Sequence, residues 1–202
     1  MLDVEGFILV GGASSRMGRD KSRLMLGSQT TVERIAEAMS EVATRIQLVG
    51  GHDDRNRFES VPDMADSWGP LGGIQAALHA TEAAWCMVIA CDLPFVSGGL
   101  LRRLLELRSN KTEDFDAVVP IQADEYPQPL CAVYQRLPCL DAADQSIGKG
   151  DHSPRALLDR VNTRYVPFAR IADLSGASNF FFNINTPENY ERAQSLCQNV
   201  HQ

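Results

Sequence analysis

The stretch Gly11-Gly12-Ala13-Ser14-Ser15-Arg16-Met17-Gly18-Arg19-Asp20-Lys21 concentrates the features that bind phosphate. Between Arg16 and Arg23 stand four cations and one carboxylate, and the glycines let backbone N–H groups come close to a ligand. The stretch fits neither GxGxxG nor GxxxxGK[ST], since no glycine immediately precedes Lys21. Composition alone leaves two readings open, a phosphate cradle and a flexible turn with solvated charges. Asp92 follows the apolar run Trp85 to Cys91 and precedes Leu93-Pro94. A carboxylate leaving a buried strand there offers a hard oxygen to Mg²⁺, although the same placement suits a turn-forming aspartate before proline. Asp66, ahead of Gly69-Pro70-Leu71-Gly72-Gly73, leads into a helix whose N-terminus could face an anion or a base edge, or it is a solvated acid in an ordinary loop.

Asn183 and Asn185 flank Ile184 in a segment, Phe180 to Ile184, expected to be a strand, so both would project to one face. Asn185 or Thr186 also caps the helix that follows. His52, His79 and His152 share no metal-ligand spacing, and no Ser-His-Asp or Cys-His arrangement stands out. Covalent catalysis is therefore not expected.

These side chains need elements to hold them. Gly6 to Val10 is a short apolar run ending in glycines, as in a strand buried on both faces of a parallel sheet. Thr30 to Glu33 offers a capping box, after which Val32, Ile35, Ala36, Met39, Val42 and Ala43 recur at helical spacing. Ile46 to Val49 reads as a strand, Gly72 to Glu82 as a helix and Trp85 to Cys91 as a strand. Ser97 can cap a helix burying Leu100, Leu101, Leu104 and Leu105, and Asp116 to Pro120 and Leu130 to Tyr134 follow as strands. Ser153-Pro154 and Thr186-Pro187 start two more helices, with Ser146 to Ser153 as a mobile loop. The alternation predicts an α/β fold: a single-domain, Rossmann-like three-layer α/β/α arrangement over residues 1–202. Its central sheet is mostly parallel, and ligands bind beyond the carboxyl ends of the strands.

Nineteen Lys and Arg against 26 Asp and Glu give a net charge of -7 over 202 residues. That balance argues against nucleic acid as a partner. Five cysteines, without a CxxC pair, read mostly as small core residues. The acidic start Met1 to Glu5 is unlike a secretory signal, and no run approaches the ~18 apolar residues of a membrane span. The expected location is cytoplasmic, with no membrane partner.

The string GGASSRMGRDK resembles the signature loop of nucleotidyltransferases that join a nucleoside monophosphate to a phosphorylated acceptor. It is most similar to that of the molybdenum cofactor guanylyltransferases. The resemblance continues, in that family's order, through Asp66 to Ile74, Cys91-Asp92-Leu93-Pro94, Gln128 to Tyr134 and Phe182 to Glu188. Val10 departs from the alanine usual before the paired glycines and enlarges the wall of the implied base pocket. The pairs Gly11-Gly12 and Gly72-Gly73 favour guanine, since cytidylyltransferase relatives usually carry an alanine in the first pair and a different second loop.

The resemblance implies transfer of GMP from GTP to molybdenum-bound molybdopterin, with Mg²⁺ as cofactor and pyrophosphate as product. Lys21, Asp92 and Arg16 would be catalytic, with Arg19 in support. Leu9, Val10, Gly11, Gly12, Lys21, Asp66, Gly72 and Asp92 would bind nucleotide. Asp92, Asn183 and Asn185 would meet the metal, and Gln128 to Tyr134 with Gly148 to Arg155 would admit the pterin. Transient contact with molybdoenzyme chaperones is a further implied partnership. The alternatives are a related transferase using CTP or another phosphorylated acceptor, and a non-catalytic nucleotide-binding adaptor.

Overall fold

The computed structural model describes residues 3–10, 21–51, 57–62, 69–109 and 112–199. The strands in chain order are β1 (Val4–Leu9), β2 (Met25–Leu26), β3 (Gln29–Thr30), β4 (Arg45–Val49), β5 (Glu59–Val61), β6 (Trp85–Ala90), β7 (Ala117–Pro120), β8 (Cys131–Gln135) and β9 (Thr163–Val166). The helices are α1 (Thr31–Ser40), α2 (Gly69–Ala80), α3 (Gly98–Glu106), α4 (Arg136–Gly148), α5 (Pro154–Leu158) and α6 (Pro187–Asn199).

Continuous apolar runs become strands covered on both faces. In β1, Phe7 and Leu9 enter a core with α2, α4 and α5, while Val4 and Ile8 enter a second core with α1 and α3. In β6, Cys86 and Val88 join the first core, Met87 and Ile89 the second. This period-two division is what a pleated strand between helix layers requires. The sheet order is β5-β4-β1-β6-β8-β7-β9, and only β8 runs antiparallel to its neighbours. The chain passes from β1 through α1 to β4 on one face, then through α2 to β6 on the other. Winding therefore reverses between β1 and β6, the place where ligands of open α/β sheets bind. No helix among the described residues is long and apolar enough to cross a membrane.

The expected capping box is present: the Glu33 N–H donates to Thr30 Oγ1 at 3.1 Å, and the Thr30 N–H to Glu33 Oε2 at 2.6 Å. The Thr30 N–H first, and then Arg57, hold the Glu33 carboxyl down from 4.5 to about 2. A depressed acid stabilises the fold above its unfolded value, and that contribution fades as pH falls from 4.5 to about 2. Glu33→Gln should therefore cost about 1 kcal/mol at neutral pH, the scale of a helix cap, with the gap closing in acid. Urea unfolding at several pH values measures it; a pH-independent gap would assign the loss to packing.

Three expectations change. Phe180 to Ile184 is not a strand: Ala177–Asn179 is a 3-10 turn, and the Phe182 N–H bonds back to Asn179 O at 3.0 Å. Phe180 and Ile184 are the fully buried anchors, while Phe182, which a strand would place on the same face, is only partly buried. The shared-face argument for Asn183 and Asn185 falls with it. Helix α2 begins at Gly69 rather than Gly72, because proline is tolerated in a first turn. Ser146 to Gly148 end α4, and the Asp151 N–H to Ser146 O bond at 3.0 Å helps tie down the loop beyond.

Candidate active site

Lys21, Asp92 and Asn185 come from three distant parts of the chain and meet at the carboxyl edge of the sheet. Lys21 opens the 3-10 turn Lys21–Arg23, and its carbonyl accepts a hydrogen bond from the buried Thr31 hydroxyl of α1 at 2.7 Å. Asp92 lies two residues past β6. The Cys91 N–H donates to Leu9 O of β1 at 3.0 Å and the Leu93 N–H to Ala90 O at 3.1 Å, which fixes the exit. The Ile184 N–H donates to Asp92 O at 3.0 Å and brings Asn185 alongside.

Lys21 Nζ donates to Asn185 Oδ1 at 2.6 Å and stands 3.7 Å from Asp92 Oδ2. Their sequence separation, 164 residues for the lysine and asparagine, makes this contact a product of the fold alone. The Lys21 and Asp92 side chains are 21% and 23% exposed, shielded yet open to a ligand. Burial pushes the Asp92 carboxyl above its ordinary value, and the nearby Lys21 ammonium only partly opposes it. Desolvation thus outweighs pairing, and the site favours additional positive charge.

Leu9 and Gly72 are buried. Next to Gly72, a Cβ on Gly73 would stand 3.1 Å from Leu9 Cδ1, so glycine lets α2 close onto β1. Val10 donates its N–H to Val49 O at 2.9 Å, and a Cβ on Gly51 would lie 2.7 Å from Val10 Cγ2. The larger side chain thus rests over a glycine. Asn183 is half-buried, and it is Asn185 whose amide oxygen meets Lys21. Gly11, Gly12, Arg16, Arg19 and Asp66 lie outside the described residues.

The expected pterin surface is narrower than the sequence suggested. Cys131 to Tyr134 are fully buried, and the Tyr134 hydroxyl donates inward to Pro129 O at 2.6 Å. Residues 128–130 are partly exposed, and Leu130 O accepts from the Ala90 N–H at 2.8 Å, close to Asp92. Thr186 caps α6 through the Asn189 N–H at 3.2 Å. The five cysteines are buried and form no disulfide, and burial raises the Cys131 thiol to about 12, which unsuits it as a nucleophile. His79 pairs with Asp144 at 3.3 Å, between α2 and α4. Sequence reasoning missed Thr31 as an anchor of Lys21; the signal was a second threonine beside the capping one.

Residues 6–165 match the family described as MobA-like NTP transferase domain. A protein of Pelotomaculum thermopropionicum named probable molybdenum cofactor guanylyltransferase is 34% identical over 202 residues, covering 98% of this chain and 96% of its own. A Bacillus anthracis protein of the same name is 32% identical, covering 96% and 97%. The crystal structure of molybdopterin-guanine dinucleotide biosynthesis protein A from Archaeoglobus fulgidus is similar with a TM-score of 0.79 at 29% identity, covering 96% of this chain and 99% of that one.

Proposed function

Because this chain belongs to the MobA-like NTP transferase domain family, we propose that it transfers GMP from GTP to molybdenum-bound molybdopterin, releasing pyrophosphate. The meeting of Lys21, Asp92 and Asn185 where the winding reverses carries the proposal, and the names of the relatives support the choice of substrates.

A phosphate oxygen of the acceptor attacks the α-phosphorus of GTP in line, and the bond to the β-phosphate breaks with its electrons leaving on pyrophosphate. An ionised phosphate needs no strong base, so the protein's task is to align two polyanions and cancel their repulsion. Lys21 offsets charge on the triphosphate and the leaving group, with Arg16 and Arg19 in support. Leu9, Val10, Gly11, Gly12, Asp66 and Gly72 hold the nucleotide. Residues 128–130 and the 148–155 loop admit the pterin.

Among the described residues no cluster of three or more His, Cys, Asp or Glu forms a metal site. A single carboxylate with an amide oxygen nevertheless suits Mg²⁺, which keeps waters and takes phosphate oxygens. Asp92 and Asn185 would hold it, with Asn183 as a further candidate, and the ion supplies positive charge to the reacting phosphates. Residues 1–202 act as one nucleotidyltransferase domain.

GTP with Mg²⁺ should raise the melting temperature more than CTP, ATP or UTP. At a hundredfold excess over Kd the stabilisation is about 2.7 kcal/mol, or roughly 5–10 °C for a chain of this size. Equal shifts for GTP and CTP would remove guanine selectivity. An absence of pyrophosphate release with every nucleotide and acceptor pair would remove transfer itself.

A further inference from the structure

The ring of Phe182 is held from two sides, three residues before Asn185. Phe95 meets it edge to face, with 6.0 Å between centroids and 73° between planes, and Cζ of Arg192 in α6 lies 5.1 Å from its centroid. Phe95, three residues after Asp92, carries Arg34 of α1 at 5.8 Å, and Arg34 Nε donates to Pro94 O at 3.4 Å. The stack Arg34, Phe95, Phe182, Arg192 therefore joins α1, the Asp92 loop, the Asn185 segment and the last helix.

Both rings border a third core, built from buried Leu24, Leu26, Ile184, Ala193 and Cys197. Lys21 and Asn185 lie on the segments that this small core holds, with the Tyr190 hydroxyl donating from α6 to Met25 O at 2.8 Å. Asp92, in contrast, leaves a strand of the two large cores. A small group of buried contacts opens more readily than a large one, so the register between Asn185 and Asp92 depends on what joins the cores. Phe180 ties the same segment into a large core, and nearer the site, among the described residues, the Ile184 N–H to Asp92 O bond and the Phe95–Phe182 pair join the two.

We infer that Phe182 is a positioning residue for nucleotidyl transfer: its ring, set between Phe95 and Arg192, holds Asn185 against Lys21 and so aims the lysine ammonium beside Asp92. The inference rests on the transfer proposed for this site. Aromatic pairs and cation–π contacts are directional, whereas an aliphatic side chain fills the same space without fixing an angle. Burial alone would keep the core closed; the ring adds orientation.

The test compares Phe182→Leu and Phe182→Tyr with the unaltered full chain by steady-state kinetics, thermal melting and amide exchange at Ile184 followed by NMR. Because an ångström of misplacement is expensive in rate, Phe182→Leu should lower kcat about tenfold or more while KM for GTP stays within about threefold. Ile184 exchange should quicken, β6 amides should not, and Phe182→Tyr should restore both rate and protection. Unchanged kcat in an active enzyme, a loss matched by the unfolded fraction, or no rescue by tyrosine would overturn the inference. If the unaltered chain transfers no nucleotide, the proposed reaction fails but the positioning is still decided by exchange. Faster Ile184 exchange in the leucine variant alone upholds it, and equal exchange in all three proteins overturns it.

Discussion

An Asp92→Asn variant should lose nucleotidyl transfer by about 10³-fold or more, since charge stabilisation through a bound metal is worth several kcal/mol, yet it should melt no earlier than the unaltered protein. Both effects have one cause. Burial holds the Asp92 carboxyl above its ordinary 3.8, with Lys21 opposing only in part. Between 3.8 and the raised value the folded state binds more protons than the unfolded one, so stability falls as pH rises through that window. Asparagine has no charge to desolvate and keeps the ability to form the turn before Leu93-Pro94. The ligand-free variant should therefore melt at the same or a higher temperature at neutral pH, and the difference should close as pH falls below the ordinary carboxylate value. Near-normal turnover at limiting Mg²⁺ would assign Asp92 to the turn alone. A variant melting well below the unaltered chain would mean that the pairing with Lys21 outweighs burial.

The parts of this fold that the sequence made legible are those buried on a wide face. The β1 and β6 runs are apolar because helices cover both sides, and α1 and α3 announce themselves by a capping threonine or serine ahead of an apolar stripe, Val32, Ile35, Ala36 and Met39 in α1 and Leu100, Leu101, Leu104 and Leu105 in α3. Helix α4 was not anticipated because it buries Cys139, Ala142, Ala143 and Ser146, small side chains that let it approach α2 without a bulky stripe. Strands β5 and β9 lie at the two edges of the sheet, where residues such as Glu59, Arg164 and Tyr165 interrupt any apolar run. The strand expected over residues 180–184 failed for the converse reason. Its apolar residues anchor a turn-rich loop at Phe180 and Ile184 rather than pairing with a neighbour.

The candidate site divides along the same line. Asp92 is visible because a carboxylate stands just past a buried strand, and Lys21 because it belongs to a cation-rich string that follows the glycines after β1. The contact between Lys21 and Asn185 leaves no local trace, since it depends on α6 docking against the β2–β3 hairpin. Spacing named Asn183 and Asn185 together, and the fold brings Asn185 to the lysine.

Lys21→Ala should lower kcat/KM for GTP by about 10²-fold, the scale for removing a positioned charge that faces developing negative charge in a shielded site. An exposed lysine would give almost nothing, and two observations separate Lys21 from that case. Its side chain is only 21% exposed, and its ammonium is already oriented by Asn185 at 2.6 Å and Asp92 at 3.7 Å. Thermal stability should change little, because a partly exposed ion pair contributes about 1 kcal/mol or less. Lys21→Arg should recover only part of the rate: a planar guanidinium cannot take the position of a compact ammonium between a carboxylate and an amide oxygen. Arg23, two residues on and exposed, is the control for general loop charge. Arg23→Ala should keep kcat/KM within about threefold of the unaltered chain, as surface charges away from a reacting group do. Equal losses in the two alanine variants would move the effect from Lys21 to the summed field of the loop, and full activity in Lys21→Arg would show that charge without geometry is enough.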